Sequence, residues 1–324
     1  MKYKLSVVAA LGAMLCLILA PGAAIESARY ALTLCAELLV PSLLPFFAVS
    51  ALLIRLGLPR QLGRVLTPLS RRVWGVSGAG ASAFFAGLLG GYPLGAQTIG
   101  ELYTAGQISR TEAERLLLFC NNTGPSFLVG VIGSSLFSSR SIGLMLYAIH
   151  AAAAALTGFF FRGSAEAEQF PPEWKEQPLS LALVGAVQQA VGAILNVSGF
   201  VLCFCVLSGM LESLGFYAAA AAVLRELTGL SFETLRALLI GLLELSSGIG
   251  ALRTLAPDRT VFILCAFLSG WGGLSVQFQT LAVLAETDLD CRRHLLGRLL
   301  SGLISALLAA AISRFCLLPP VLIS

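Results

Sequence analysis

Charge is what this sequence lacks first. Asp, Glu, Lys and Arg make up 12% of its 324 residues against 57% hydrophobic, and the mean hydropathy is +0.88. That leaves too little polar surface to clothe a water-soluble globule of this size. Histidine is nearly absent, with only His150 and His294. The eight cysteines (Cys16, Cys35, Cys120, Cys203, Cys205, Cys265, Cys291 and Cys316) form no CxxC and lie mostly in apolar runs. Together these absences argue against a zinc or haem centre and make the thiols small buried hydrophobes. HExxH, GxSxG and GxxxxGK[ST] are also missing, and with them the usual machinery of a membrane enzyme. No enzyme is expected. The one enzymatic arrangement left to weigh is an intramembrane serine hydrolase using Ser126 or Ser247 with His150. Ten-residue alternation is absent too, which argues against a spanning β-barrel. The net charge of +4 needs no nucleic acid, because much of the excess is arginine in one short loop.

What is there is a series of apolar runs of roughly 18 to 25 residues, each long enough to cross about 30 Å of hydrocarbon. The fold class expected is an all-α polytopic membrane protein. Lys2 and Lys4 precede the apolar run Leu5 to Ala20, which reads as an uncleaved first helix in preference to a removable signal peptide. The domains then follow as 1–30, a first repeat at 31–162, a polar connecting loop at 163–179 and a second repeat at 180–324. Expected segments in the first repeat are 31–54, 76–100, 114–138 and 142–161. Those in the second are 181–211, 235–254, 260–285 and 295–317. GLLGGYPLGA at Gly87 to Ala96 resembles GLLELSSGIGA at Gly241 to Ala251, TGPSF at Thr123 to Phe127 resembles GGLSV at Gly272 to Val276, and SLLPFF at Ser42 to Phe47 lies opposite NVSGFV at Asn196 to Val201. Three weak likenesses in the same order indicate an internal duplication.

The interruptions carry the function. Breaking a helix in hydrocarbon exposes backbone groups, which only protein or a water-filled cavity can satisfy. Gly90, Gly91, Tyr92 and Pro93 form one break, leaving a half-helix whose positive end suits an anion. Ser246, Ser247, Gly248 and Gly250 form its counterpart, with the two hydroxyls available for capping or ligand binding. Beside them Glu244 is a carboxylate in an apolar run, a proton or sodium site by expectation, with a structural pairing to Arg253 as the alternative. Asn121, Asn122, Thr123 and Ser126 flank the Gly124 and Pro125 interruption, as a polar site or as interhelical glue. Gly272 and Gly273 mark the fourth break, with Trp271, Ser275 and Gln277 nearby. Two hairpins and two interrupted helices in paired repeats are how secondary transporters build a midplane site.

The residues GGYPLGAQTIGEL, ISRTEAERLL and FCNNTGPSFLVG resemble the YlbJ (SpoVV) family of sporulation integral membrane proteins, within the nucleoside-recognition or Gate-domain group. The resemblance runs from about Glu37 to the last helix. It implies a transporter of endospore-forming bacteria, with dipicolinic acid crossing the outer forespore membrane, and a fold similar to concentrative nucleoside transporters, with inverted repeats and re-entrant hairpins. A nucleoside-type transporter and a non-transporting scaffold or gating subunit are the alternatives. Half-helix ends and hydroxyls would hold the carboxylates of a flat dianion while Tyr92 or Trp271 stacks on its ring. No arginine is expected within a spanning segment. Glu244, with Glu37 and Gln277 as further candidates, is assigned to ion or proton coupling. No cofactor is expected beyond a coupling sodium ion or proton. The partners expected are the solute and the lipid bilayer, with a homo-oligomer allowed.

The remaining charges look structural. Ser109 and Thr111 stand three residues before Glu112 and Glu114 as overlapping capping boxes. Leu58, Leu62, Val65, Leu66 and Leu69 share one face of an interfacial helix ending near Arg71, Arg72 and Trp74. Lys2, Lys4 and the loop Arg55 to Arg72 are placed in the cytoplasm. With 76–100 and 235–254 both turning back, each repeat crosses three times and the second is inverted. With both crossing fully, the acidic middle loop moves outside.

Overall fold

The computed structural model describes residues 2–164 and 177–315, and among them every regular element is a helix. Among the described residues five helices are long and apolar enough to cross a membrane: Pro21–Arg55, Arg140–Phe160, Leu179–Ser213, Arg259–Val283 and His294–Arg314. After α1 (Lys2–Leu19), the first long helix α2 starts at Pro21, well before the expected position 31, and runs to Arg55. Proline at its first turn is pre-shaped for a helix start. Farther along, Pro41 has no N–H to give the Glu37 carbonyl, and the backbone widens into a π-helical turn at Cys35–Leu39 closed by Val40 N–H to Cys35 O.

Gly57, at φ +82, ends α2 and opens α3 (Leu58–Val73). Val65 and Leu69 of α3 are exposed, as an interfacial helix requires. The chain then turns through 89° into α4 (Gly78–Gly90). Trp74 pins that corner, its Nε1 donating to Ala155 O at 2.9 Å. After α4 come α5 (Leu94–Thr104), α6 (Arg110–Leu116), the π-helical α7 (Ser126–Leu136) and α8 (Arg140–Phe160). The expected span 114–138 is thus divided: residues 117–124 lie outside both α6 and α7. Of the two capping boxes only Ser109 caps, accepting from Glu112 N at 3.1 Å. Thr111 lies inside α6, and Glu112 reaches across to accept from Ser77 N at 2.6 Å.

The polar loop expected at 163–179 falls largely on residues 165–176, outside the described residues. Beyond it the order of elements repeats. α9 (Leu179–Ser213) is 35 residues long, the same length as α2, and Gly215 at φ +72 ends it as Gly57 ends α2. Next comes α10 (Phe216–Thr228), a helix the sequence reading missed, in the place of α3. Then follow α11 (Phe232–Leu243), α12 (Leu245–Leu252), α13 (Arg259–Trp271), α14 (Gly273–Val283) and α15 (His294–Phe315).

α4 packs back against α5 in the first half, and α11 against α12 in the second. Gly87 and Gly95 would be about 12 Å apart along a straight helix, yet a methyl group on Gly87 would stand 3.3 Å from Gly95 Cα. In the second half a methyl on Gly248 would stand 2.2 Å from Gly241 Cα. Of these glycines the internal likeness pairs Gly87 with Gly241. The core is a continuous apolar cluster joining α2, α7, α8, α9, α12 and α13, with a satellite around Trp74, Phe84 and Phe119.

Candidate functional site

The four breaks meet. Gly91, at φ +77, touches Gly124: a methyl on Gly91 would lie 2.8 Å from Gly124 N. The second half repeats the contact, for a methyl on Gly273, at φ +79, would lie 2.9 Å from Leu245 N. A positive φ and a backbone contact on the side of the missing Cβ leave no other residue a fit at either place. Within each half, then, the hairpin turn packs directly on the interruption that follows it.

Between the halves these turns enclose a cavity of about 40 Å³, measured as the volume open to the centre of a water molecule. That is room for roughly three waters. Its lining draws on corresponding elements of both halves. The first hairpin gives Gly90, Gly91 and Tyr92, and the second gives Glu244, Leu245 and Ser246. Thr123, Gly124, Ser126 and Phe127 come from the first interruption, and Val276 and Gln279 follow the second. Leu43 and Phe47 of α2 face it together with Val197 and Val201 of α9, positions that the SLLPFF and NVSGFV alignment pairs one to one.

The two half-helix starts are capped differently. At α5, Asn121 Oδ1 accepts from Ala96 N at 3.4 Å while its amide nitrogen donates to Thr280 Oγ1 at 2.6 Å. At α12, Glu244 is the cap, accepting from Ser246 N at 3.0 Å and Ser247 N at 2.6 Å. The serine hydroxyls therefore do not cap, and Glu244 takes backbone N–H groups in place of Arg253. Ser247 Oγ instead lies 3.0 Å from Cys205 Sγ.

Arg298 is the residue the sequence reading missed. The expectation that no arginine lies within a spanning segment fails: Arg298 sits one turn into α15 with 0% of its surface exposed. Its guanidinium donates to Asn122 Oδ1 at 3.3 Å, to Tyr92 Oη at 2.8 Å and to Gly270 O. It also lies 5.5 Å from the centre of the Tyr92 ring, within cation–π range. Among the described residues no carboxylate pairs with it, and its Nε has no partner. A buried cation with only neutral acceptors is an expensive structural element. It stands directly behind the cavity wall. Tyr92 Oη donates to Ser269 O at 3.0 Å, and Thr123 Oγ1 lies 3.0 Å from that Tyr92 oxygen and 2.8 Å from the same carbonyl. His150 Nε2 accepts from Thr123 N at 3.0 Å. The signal that would have found Arg298 is spacing: His294, Arg298, Ser301 and Ser305 fall on one face of α15 and are all buried.

The other singled-out residues lie around this centre. Asn122 bonds back to Phe119 O at 2.9 Å. Trp271 is outside the cavity lining, its Nε1 donating to Leu242 O at 3.0 Å. Pro93 and Gly248 support their breaks without lining the cavity. Ser275 is buried with its hydroxyl unpartnered. Glu37 is on the exposed face of α2, and Gln277 donates to Trp271 O at 2.9 Å.

Residues 36–164 match the Gate family, described as nucleoside recognition. No solved structure matches the chain. Over 318 aligned residues it is 30% identical to the sporulation integral membrane protein YlbJ of Bacillus subtilis (strain 168), covering 88% of this chain and 76% of that protein. The chain thus belongs to the family of YlbJ, as an all-helical integral membrane protein whose four helix breaks meet at one buried cavity.

Proposed function

We propose that this protein is a secondary transporter, active in sporulation, that carries a small polar or anionic solute through the cavity between its two halves. The halves are inverted repeats, with α4–α5 and α11–α12 as re-entrant hairpins. What carries the reading is the lining of the cavity by matching elements of both halves, with the unpaired charge of Arg298 behind one wall. Transporters with repeat-built sites place broken helices in this way, and an uncompensated cation favours an anion.

Dipicolinic acid, the solute implied by the family resemblance, fits as a flat dianion. It is larger than the cavity, so loading requires the hairpins to separate. Glu244 couples the cycle. Its carboxylate holds the Ser246 and Ser247 N–H groups, and a proton or sodium ion on Glu244 frees them for the solute. The Gate description of residues 36–164 favours a nucleoside as the second candidate.

The test is uptake of labelled dipicolinic acid into proteoliposomes, with nucleosides as competitors and the Asn122→Ala protein as the blank. Saturable uptake that is lost in the variant supports the transporter. No uptake of either solute by a well-folded protein would favour the scaffold.

A further inference from the structure

In the second half, polar side chains continue from the central cavity toward one end of α9. Glu244 is buried and lines the cavity. Its Oε2 lies 3.9 Å from the Cys205 thiol of α9, which is 3.0 Å from Ser247 Oγ. One turn farther along α9, Ser208 Oγ lies 2.9 Å from Tyr217 Oη of α10. In the last turn of α9, Glu212 accepts from Arg236 Nε at 2.8 Å, with both side chains 40% exposed. Cys205, Ser208 and Tyr217 are all buried. Residues 205, 208 and 212 follow the i, i+3, i+7 spacing of one helix face.

The frame itself does not require this polarity. In the register that pairs Leu43 with Val197 and Phe47 with Val201, Cys205 falls opposite Ala51 and Ser208 opposite Ile54, while the hairpin alignment sets Glu244 opposite Gly90. The first half builds the same skeleton with apolar residues at these places, so the polar ones accompany the carboxylate. The groups on that carboxylate also bear on which ion it takes. They are two backbone N–H donors and a thiol, whereas a hard cation is held by several oxygen acceptors. Cys35 and Tyr30 of α2 lie within electrostatic reach of Glu244 together with Cys205, and Arg253, at the far end of α12, reaches Tyr30. None of these is a second carboxylate.

Resting on the transporter reading, we propose that the coupling ion is a proton and that it reaches Glu244 from the membrane surface along this face of α9. A hydroxyl or thiol carries one proton and can accept another, so the line suits a relay of protons and not the passage of a metal ion. A proton entering beside Glu212 is taken up by the Tyr217 and Ser208 pair, which releases one of its own. That proton passes to Cys205 across one helical turn, about 5–6 Å between Cβ atoms, a gap that one water bridges. Cys205 accepts it and gives its own proton to Glu244. Each relay group ends as it began, and Glu244 changes from carboxylate to carboxylic acid, losing the charge that holds the Ser246 and Ser247 N–H groups.

The test uses the full-length protein in proteoliposomes with labelled dipicolinate, read in two modes. Counterflow against unlabelled dipicolinate, with no ion gradient, needs no net proton movement. Net uptake is then driven by a pH gradient or by a sodium gradient, each imposed in both directions. The expected result is about tenfold stimulation by the pH gradient and none by sodium. Ser208→Ala combined with Tyr217→Phe removes both hydroxyls and leaves neither unpaired, so folding is retained. This double variant should lower pH-driven uptake about tenfold relative to counterflow. Stimulation by sodium and not by pH, with counterflow present, would overturn the proton and leave the transporter standing. Full pH-driven uptake by the double variant would overturn the route. Absence of counterflow in the folded, unaltered protein would overturn the transporter reading and this inference with it.

Discussion

The two halves share a skeleton and differ in chemistry. Each has a 35-residue helix, a short helix after a left-handed glycine, a glycine-crossed hairpin and an interruption packed on the hairpin turn. In the first half the hairpin turn is neutral: a side-chain amide caps α5, and the nearby charge, Arg298, belongs to α15 of the second half. In the second half the turn carries its own carboxylate, Glu244, on the N–H groups of α12. Under the proposed function, the shared skeleton would be the symmetric frame that alternating access needs. The two helix ends differ in charge: a neutral amide caps one and a carboxylate caps the other.

If the skeleton is shared, equivalent lesions should hurt equally. Gly91→Ala and Gly273→Ala each place a side chain at φ +77 or +79 against a backbone nitrogen under 3.0 Å away. Each should destabilise by about 2–4 kcal/mol, seen as a large drop in thermal unfolding temperature. A severe loss for one and none for the other would break the comparison.

If the chemistry differs, the caps should not behave alike. Glu244→Ala should cost about 1 kcal/mol of stability as a lost cap and abolish the effect of the driving ion gradient on uptake. Glu244→Gln, which keeps an acceptor, should retain the melting temperature and still lose the gradient effect. Asn121→Leu removes the bonds to Ala96 and Thr280 and should cost about 1–2 kcal/mol while leaving the gradient effect intact. A gradient effect that survives Glu244→Gln would remove the proposed coupling role.

The smallest effect is expected where the halves are tied at the surface. Asp288 accepts from Tyr103 Oη at 2.7 Å and from Arg110 at 3.3 Å, and these contacts hold its carboxyl below its ordinary value. A depressed folded pKa contributes stability that is present above the unfolded value, near 4, and is lost as pH falls through the folded one. Asp288→Asn should therefore lower the melting temperature slightly at pH 7, and the difference from the unaltered protein should vanish in strong acid.

Much of this frame was legible because helix breaks leave a local signature. Gly90, Gly91 and Pro93 cannot continue a membrane helix, and Gly272 and Gly273 end one by their positive φ. The alignment of Leu43 with Val197 and Phe47 with Val201 proved to be a shared cavity face. What was not legible depended on packing across the chain. Arg298 follows Arg292, Arg293 and His294 in the sequence and so reads as the end of a polar loop. Only the approach of α15 to Leu117–Asn122 buries it: His294 meets Leu117 O, and a methyl on Gly297 would lie 2.2 Å from Leu118 O. Helix α10 was missed because its alanine run has neither the length nor the apolar weight of a span.

The most direct test compares uptake of a pyridine dicarboxylate with that of its uncharged diamide by the unaltered protein and by Arg298→Gln in proteoliposomes. The prediction is strong preference for the dianion in the unaltered protein and at least a 100-fold loss of dianion flux in the variant, about 3 kcal/mol and the scale of a charge-assisted contact, with its melting temperature retained. Undiminished dianion uptake by a folded Arg298→Gln protein would contradict the assignment of the cavity as an anion site.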